Sequence, residues 1–263
     1  MDFSLDNKIT AEVVKAISEF NLIEDQDRVI VGLSGGKDSS FLLFVLKLLK
    51  LYGGRSFDLK GVFVDPGFSE SEIGKNLKIY TDHLEVDFDI IETEIADFIN
   101  NSAEENPCSK CAHFRKGALI DYMKENDFNK LAFGHHLDDA VETFLLNIFY
   151  SGQLRALQPL RYLSDNQVSI IRPLIYLREE EIRREVNERN IETTESSCPY
   201  DGSSARADIR KEFAAHFEDE RLFANLVSSF REGDNIELWP EKMDYHRLKK
   251  EMKKFWNLKN RLC

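Results

Sequence analysis

The chain has 263 residues, of which 42% are hydrophobic and 31% are charged, enough to bury one core of α/β size. Its formal charge of −12 argues against nonspecific nucleic-acid binding over the whole surface, but it leaves room for a local basic patch. No apolar run is long enough to span a membrane, and the first ten residues lack the features of a signal peptide, so we expect a cytoplasmic protein.

Apolar β-forming runs alternate with helical patterns along most of the chain. Connections of this length between a strand, a helix and the next strand indicate parallel pairing. Residues 100–107 are predicted to form a polar loop, and residues 151–173 are predicted to be irregular. We therefore predict a doubly wound α/β domain with a small, partly helical extension. The predicted strands span residues 29–33, 59–64, 86–91 and 130–133, and the predicted helices span residues 10–20, 41–51, 71–83, 113–126, 140–150, 178–189, 205–217, 220–230 and 241–263.

The most informative motif joins the first predicted strand to the helix that follows it, where residues 34–39 read Ser-Gly-Gly-Lys-Asp-Ser. Gly35 and Gly36 allow a positive φ and close backbone approach, so successive N–H groups can form an anion-binding nest at the helix N-terminus. Two serine hydroxyls and the mobile charge of Lys37 add further donors. The motif is not a Walker A loop, because Asp38 follows the lysine. A polyphosphate is the predicted ligand, and a simple glycine turn is the alternative.

Cys108 and Cys111 form a C-x-x-C pair, and Cys198 is a candidate third ligand of one metal centre. Disulfides are not expected in a cytosolic protein of this size. Three interpretations are open: a thioredoxin-like redox pair, a structural zinc that also uses His113, and an iron–sulfur cluster held by three thiolates. Three thiolates on a four-iron cluster leave one iron open, and that iron can hold a sulfide as a nucleophile.

Asp138 and Asp139 follow the fourth predicted strand, after the sequence Gly134-His135-His136-Leu137. Carboxylates at this edge of a parallel sheet are candidate Mg²⁺ ligands or acid/base groups. The competing interpretation is that the two aspartates only cap the next helix, with Glu142 completing a capping box after Asp139.

Taken together, these motifs resemble a known family. The loop at 34–39 resembles the PP-loop of the ATP pyrophosphatases, which cleave ATP between the α- and β-phosphates. Over residues 28–213, the motif order SGGKDS, CSKCAHFRKGAL, GHHLDDAVETFLLN and PLRYLSDNQVSIIRPLIYLREEEI, then a further cysteine, resembles the TtcA-like family of tRNA thiolation enzymes. The best-known member of that family makes 2-thiocytidine. The resemblance implies a Rossmann-like (HUP-type) parallel sheet with helices on both faces, ATP with Mg²⁺, and a [4Fe-4S] cluster.

Carried over residue by residue, the resemblance implies cluster ligands at Cys108, Cys111 and Cys198. We expect Lys37 and Asp139 to act in catalysis, and Asp38 or Asp139 to hold Mg²⁺. The residues expected to contact ATP are Ser34, Gly35, Gly36, Lys37, Asp38, Ser39 and Gly134.

The predicted reaction is adenylation of a nucleobase carbonyl oxygen in tRNA, at C2 of a cytidine, followed by replacement of that oxygen with sulfur. The expected partners are tRNA and a sulfur donor such as a cysteine desulfurase, with a homodimer as the candidate assembly. Three alternatives are open: sulfur transfer to a substrate other than tRNA, adenylation with an amine nucleophile as in lysidine synthetases, and an ATP-binding protein with a structural zinc.

We predict three segments: a PP-loop domain with the C-x-x-C pair at 1–175, a helical part with the third cysteine at 176–240, and a basic helical tail at 241–263. The tail has eight Lys or Arg residues against three acids. Contact with an RNA backbone and an ordinary solvated helix face are both compatible with that charge.

Overall fold

A six-stranded sheet organises the computed structural model, which describes residues 5–68, 72–101, 107–194, 205–231 and 243–259. The strands are β1 (Arg28–Leu33), β2 (Asp58–Asp65), β3 (Asp87–Glu92), β4 (Lys130–Ala132), β5 (Leu160–Leu163) and β6 (Val168–Ile171). The helices are α1 (Asn7–Glu19), α2 (Lys37–Tyr52), α3 (Ile73–His83), α4 (Ile95–Asn101), α5 (Pro107–Glu125), α6 (Leu137–Leu146), α7 (Glu179–Glu188), α8 (Ala205–Glu212), α9 (Ala214–Glu218), α10 (Glu220–Ser229) and α11 (Tyr245–Lys259).

The strand order is β3-β2-β1-β4-β6-β5, and every neighbouring pair is parallel except β5 and β6. The chain moves outward from β1 to β2 and β3, then returns to the other side of β1 with β4 and β6. The carboxyl ends of β1 and β4 therefore flank a topological switch point, where open α/β sheets bind their ligands. This architecture confirms the predicted Rossmann-like (HUP-type) parallel sheet with helices on its faces and a helical C-terminal part.

Apolar side chains pack on both faces of the sheet. On one face, α2 is buried along its length from Ser39 to Leu48, which explains why its sequence is apolar on nearly all sides. On the other face, Leu119 and Met123 of α5 pack against Ile30 of β1. The sheet thus fixes both the N-terminus of α2 and the first turns of α5 relative to the end of β1.

The prediction of an irregular stretch over residues 151–173 is wrong, because this part of the chain contains β5 and β6. The two strands are four residues each and form a hairpin whose turn includes Gln167 at φ 56°. Strands this short offer too few residues for a visible alternation of polar and apolar side chains. β6 pairs with β4 in parallel, so its carboxyl end lies at the same edge of the sheet as those of β1 and β4.

The start of the helix predicted over residues 113–126 is also wrong, because helix α5 already begins at Pro107 and includes the C-x-x-C pair. Proline is favoured in the first helical turn, where its missing N–H costs no hydrogen bond. Cys108 and Cys111 therefore lie one helical turn apart.

The structure divides into two units, Met1–Phe230 and Arg231–Cys263, and α11 belongs to the second. The division into three segments, at residues 1–175, 176–240 and 241–263, stays a prediction. Within the described ranges, no helix is both long and apolar enough to cross a membrane.

Candidate active site

In the loop between β1 and α2, only the first glycine has a positive φ, whereas Gly36 is the extended N-cap residue of α2 at φ −76°. Gly35 has a φ of +83°, and a Cβ atom on it would lie 2.8 Å from Cγ2 of Ile73. The Ser34 N–H donates to Oγ of Ser39 (3.1 Å), and that hydroxyl donates to the carbonyl oxygen of Gly36 (3.1 Å). The two serines therefore hold the loop in shape at the N-terminus of α2, where backbone N–H groups favour an anion.

Lys37 is the first residue of α2, and carboxylates hold its ammonium group on two sides. Its Nζ lies 2.8 Å from Oε1 of Glu179 and 3.0 Å from Oδ2 of Asp38. Burial lowers the pKa of Lys37, but the hydrogen bond to Glu179 and the charge of Asp38 outweigh burial and raise it above its ordinary value. Lys37 is therefore a permanent positive charge beside the loop.

Gly134 brings the loop after β4 against the loop after β1. A Cβ atom on Gly134 would lie 2.7 Å from the carbonyl carbon and oxygen of Asp38 and 2.9 Å from the backbone nitrogen of Ser39. Only glycine permits this approach without a shift of backbone. Gly134 lines the same cleft as Ser34 and Ser39, and direct contact with ATP stays a prediction.

The two aspartates of α6 have different structural roles. His136 is the N-cap of the helix, and its backbone N–H donates to Oδ2 of Asp139 (2.9 Å). Asp138 accepts hydrogen bonds from the backbone N–H of Glu179 (2.7 Å) and from Nε of Arg178 (3.0 Å). The predicted capping box between Asp139 and Glu142 is wrong, because the helix begins at Leu137 and places Asp139 at its third position.

His136 is 2% exposed and is surrounded by carboxylates. Its Nε2 lies 3.4 Å from Oδ2 of Asp139 and 4.0 Å from Oδ1 of Asp38. Burial lowers the pKa of His136, but Asp138, Asp139 and Asp38 together raise it above its ordinary value. Burial alone would raise the pKa of Asp139, but the charge of His136 is the main opposing effect and the pKa of Asp139 is lowered. Asp139 is therefore an ionised carboxylate, suited to binding a cation.

Two arginines that the sequence motifs did not include complete this network. Arg206 and Arg210 lie one turn apart on α8, facing α6. Nη1 of Arg206 lies 3.4 Å from Oδ1 of Asp139, and Nε of Arg210 donates to Oε1 of the fully buried Glu142 (2.7 Å). Arg210 also lies 3.4 Å from Oε2 of Glu179. Residues four positions apart lie on the same face of a helix, so the spacing of these two arginines was the sequence signal that could have identified them as a pair.

A cleft of about 590 Å³ lies at the switch point, a volume typical of small-molecule sites. Ser34, Asp38 and Ser39 line it from the phosphate loop, and Ala112 and Arg115 line it from α5. Arg115 also donates to the carbonyl oxygen of Leu33 (3.5 Å). The two motifs found in the sequence, which are far apart along the chain, therefore border one cleft.

The two cysteines of α5 lie beside Ser109 and Ala112, two residues that line this cleft. Cys108 is exposed and precedes Ala112 by one turn, and the half-buried Cys111 precedes Arg115 by one turn. Cys198 lies outside the described residues, and within the described ranges no group of three or more His, Cys, Asp or Glu side chains could hold a metal. The trio of Cys108, Cys111 and Cys198 stays a prediction.

The described ends of the chain on either side of Cys198 contact two different elements of the site, the phosphate loop before the gap and α6 after it. The Thr194 N–H donates to the carbonyl oxygen of Gly35 (2.9 Å), and Arg206 contacts Asp139. The chemistry of the donor set fits an iron–sulfur cluster, because two thiols one turn apart can bind one centre and Cys198 follows Thr194 by four residues.

The two candidate magnesium ligands, Asp38 and Asp139, both line the cleft. Oδ1 of Asp38 is buried and has no hydrogen-bond partner among the described residues. A buried carboxylate oxygen without a donor is unfavourable unless a cation or another donor reaches it. The two carboxylates therefore fit a hard divalent cation, whose preferred ligands are oxygens.

Comparison with known proteins places the chain in a family. Residues 5–217 match the family described as the PP-loop domain. A tRNA-cytidine(32) 2-sulfurtransferase of Geobacter metallireducens is 39% identical over 212 residues, which cover 78% of this chain and 79% of that protein. A protein of the same name from Francisella tularensis subsp. tularensis (strain WY96-3418) is 40% identical over 183 residues, 67% of each chain.

The solved structure of the U34-tRNA thiolase NcsA from Methanococcus maripaludis with its [4Fe-4S] cluster has the same fold. It superposes with a TM-score of 0.70 at 21% identity, over 85% of this chain and 76% of the thiolase. The sheet order, the phosphate loop and the sequence matches agree with the resemblance seen in the motifs. The chain therefore belongs to the PP-loop family, and within it to the TtcA-like family of tRNA thiolation enzymes.

Proposed function

We propose that this protein is an ATP-dependent tRNA sulfurtransferase that converts a cytidine, at position 32 of tRNA, to 2-thiocytidine. The observation that carries the proposal is that the phosphate loop and the C-x-x-C helix α5 line one cleft. A site that must first activate an oxygen with ATP and then exchange it for sulfur needs both components within reach of the same atom. The sulfurtransferase names of the relatives support the substrate.

In the first step, O2 of the cytidine attacks the α-phosphate of ATP. The new oxygen–phosphorus bond forms as the bond between the α-phosphorus and the bridging oxygen breaks, and pyrophosphate leaves. The N–H groups of residues 34–39 and the N-terminus of α2 bind the phosphates. Lys37 offsets the negative charge that develops on the departing oxygen, and its raised pKa keeps it protonated.

Mg²⁺, held by Asp38 and Asp139, would neutralise charge on the phosphate oxygens during this step. The lowered pKa of Asp139 favours the role of cation ligand over that of proton donor. Arg206, 3.4 Å from Oδ1 of Asp139, and the N–H of His136 keep the carboxylate oriented toward the cleft. His136 is a positioning residue in this scheme.

In the second step, hydrosulfide attacks C2 of the adenylated base, the C–O bond breaks, AMP leaves, and the proton of the hydrosulfide is released as the thiocarbonyl forms. A [4Fe-4S] cluster held by Cys108, Cys111 and Cys198 would supply the binding site for that sulfur. This role is supported by the position of the first two cysteines at the start of α5, the helix whose residues Ser109 and Ala112 line the cleft. A cysteine desulfurase as the source of the sulfur stays a prediction.

The test is a nucleoside assay on unmodified tRNA incubated anaerobically with the protein, ATP, Mg²⁺ and sulfide. The wild-type protein is expected to produce 2-thiocytidine and one pyrophosphate for each modified base, and Lys37→Ala is expected to lower both products together. Lys124→Ala, on the same helix as the cysteines but outside the cleft, should leave both unchanged. Pyrophosphate release without 2-thiocytidine would point to another nucleophile, and the absence of both would contradict the proposal.

A further inference from the structure

Besides Arg115, which donates to Leu33 next to the phosphate loop, three cations line the cleft: Lys116 on α5, Arg161 on β5 and Arg172 directly after β6. β4 lies between β1 and β6, so two strand spacings, roughly 10 Å, separate the ends of β1 and β6. Among the described residues, no carboxylate lies within ion-pair distance of any of the three. The chain as a whole is strongly acidic, so three neighbouring cations without paired carboxylates are unexpected and indicate a binding site for an anion.

Arg172 is the most buried of the three cations, with only 8% of its surface exposed. Its Nε donates to Nδ1 of His135 (3.3 Å), and Nη1 donates to the carbonyl oxygen of Gln158. The carbonyl is neutral, and so is His135, whose pKa burial lowers to about 4. Burial and the nearby charge of Arg161 also lower the pKa of Arg172, to about 10, which still leaves it protonated at neutral pH.

A buried guanidinium that donates only to neutral acceptors is unfavourable unless an anion reaches it. The charge of Asp139 opposes the lowering of the Arg172 pKa, but Asp139 makes no ion pair with Arg172 and is already held by Arg206 and the N–H of His136. Arg161, whose charge acts on Arg172, is exposed on β5, and the half-buried Lys116 lines the same cleft from α5. The three side chains therefore have the form of a prepared anion site.

We propose that Lys116, Arg161 and Arg172 form a second phosphate site, separate from the phosphate loop, which binds a phosphodiester of the RNA strand beside the target nucleotide. This inference rests on the proposed function, because it assumes that RNA enters the cleft. Guanidinium groups bind phosphate through paired donors, and phosphate contacts set the register of the RNA.

Two observations favour RNA over the triphosphate of ATP as the ligand. The ATP phosphates already have a site at the N-terminus of α2, across the cleft. In addition, the segment that leads into β5 and β5 itself expose Tyr150 (64%) and Tyr162 (61%). Exposed aromatic side chains and arginine planes are the usual platforms on which single-stranded RNA bases stack.

The test uses the full-length protein with an unmodified tRNA transcript, and compares wild type with Lys116→Gln, Arg161→Gln and the double variant. Arg172 is left intact because its hydrogen bonds also support the fold. Fluorescence anisotropy at several salt concentrations gives the affinity and its salt dependence. The double variant is expected to bind the transcript about tenfold more weakly, with a log–log salt slope smaller by about one for each cation removed.

Lys124→Gln on α5 and Arg221→Gln on α10 are the matched controls, because they remove the same charge outside the cleft. Both should bind like wild type, and all variants should keep the wild-type melting temperature. Affinity for ATP, measured separately by equilibrium dialysis, should stay unchanged in the double variant.

The possible results separate the two proposals. If wild type binds the transcript and the double variant binds it equally well, the second phosphate site is refuted while the proposed function stands. Weaker ATP binding with unchanged tRNA binding would assign the cations to the nucleotide, which also overturns the inference. A wild-type protein that does not bind tRNA would overturn both.

Discussion

At the scale of single residues, the site depends on two loops that touch through their backbones. Gly134 occupies the point of contact, since no side chain fits between it and Asp38. The phosphate loop therefore derives its shape partly from residues that lie about one hundred positions later in the sequence. A motif search finds Gly35 and Gly36 by their pattern, whereas the reason for Gly134 is visible only when both loops are in place.

Replacing Gly134 by alanine should separate these loops. The added Cβ would lie 2.7 Å from the backbone of Asp38, so we expect a loss of about 1–3 kcal/mol of unfolding free energy and weaker ATP binding. Gly117→Ala is the control, because a Cβ on Gly117 meets nothing within 4 Å and alanine favours the helix by up to about 1 kcal/mol. Chemical denaturation and ATP titration measure both effects. Equal stability of Gly134→Ala and wild type would show that the loops do not need this contact.

His136 makes the stability of the site dependent on pH. Its pKa in the folded protein is raised above the ordinary value of 6.5, so protonation stabilises the fold fully below 6.5. That contribution is lost as the pH rises through the folded-state pKa. We expect the difference in unfolding free energy between wild type and His136→Gln to shrink between pH 6 and pH 9. If the difference grows over this range, the neighbouring carboxylates do not raise the pKa of His136.

At the scale of elements, α6 and α7 are joined by one buried carboxylate. Asp138 receives the first backbone N–H of α7, from Glu179, and the side chain of Arg178. Glu179 in turn holds Lys37 at the start of α2. The three helix N-termini around the cleft are thus connected through charged hydrogen bonds, which are the stronger class of such bonds.

Asp138→Asn should weaken this connection, because an amide cannot accept both hydrogen bonds with the strength of a carboxylate. We expect a loss of about 2–3 kcal/mol in unfolding free energy, with a lower affinity for ATP through the displaced Glu179 and Lys37. Asp121→Asn, an exposed change on α5, should have little effect. Thermal unfolding and ATP titration provide the measurements. If the variant is clearly destabilised but binds ATP with unaltered affinity, the contact between α6 and α7 does not influence the ATP site.

At the scale of the whole molecule, the sequence was sufficient to predict those elements whose local patterns are long. The strand ending at Leu33, the buried helix after it and the phosphate loop between them follow from apolar runs and glycines. β5 and β6 were missed because each has four residues and is fixed by pairing with a distant strand. Arg206 was missed because its partner, Asp139, lies 67 positions earlier, and single-sequence patterns carry no information on such pairs.

The measurement that tests the account most directly is an iron and acid-labile sulfide count on anaerobically purified protein. Wild type and Cys263→Ala should each hold about four irons per chain, and Cys108→Ala, Cys111→Ala and Cys198→Ala should each lose them. Cys263 serves as the matched control because it is the one cysteine that the motif does not include. A single zinc per chain, or iron retained in Cys198→Ala, would contradict the thiolation mechanism and leave an adenylating enzyme with another nucleophile.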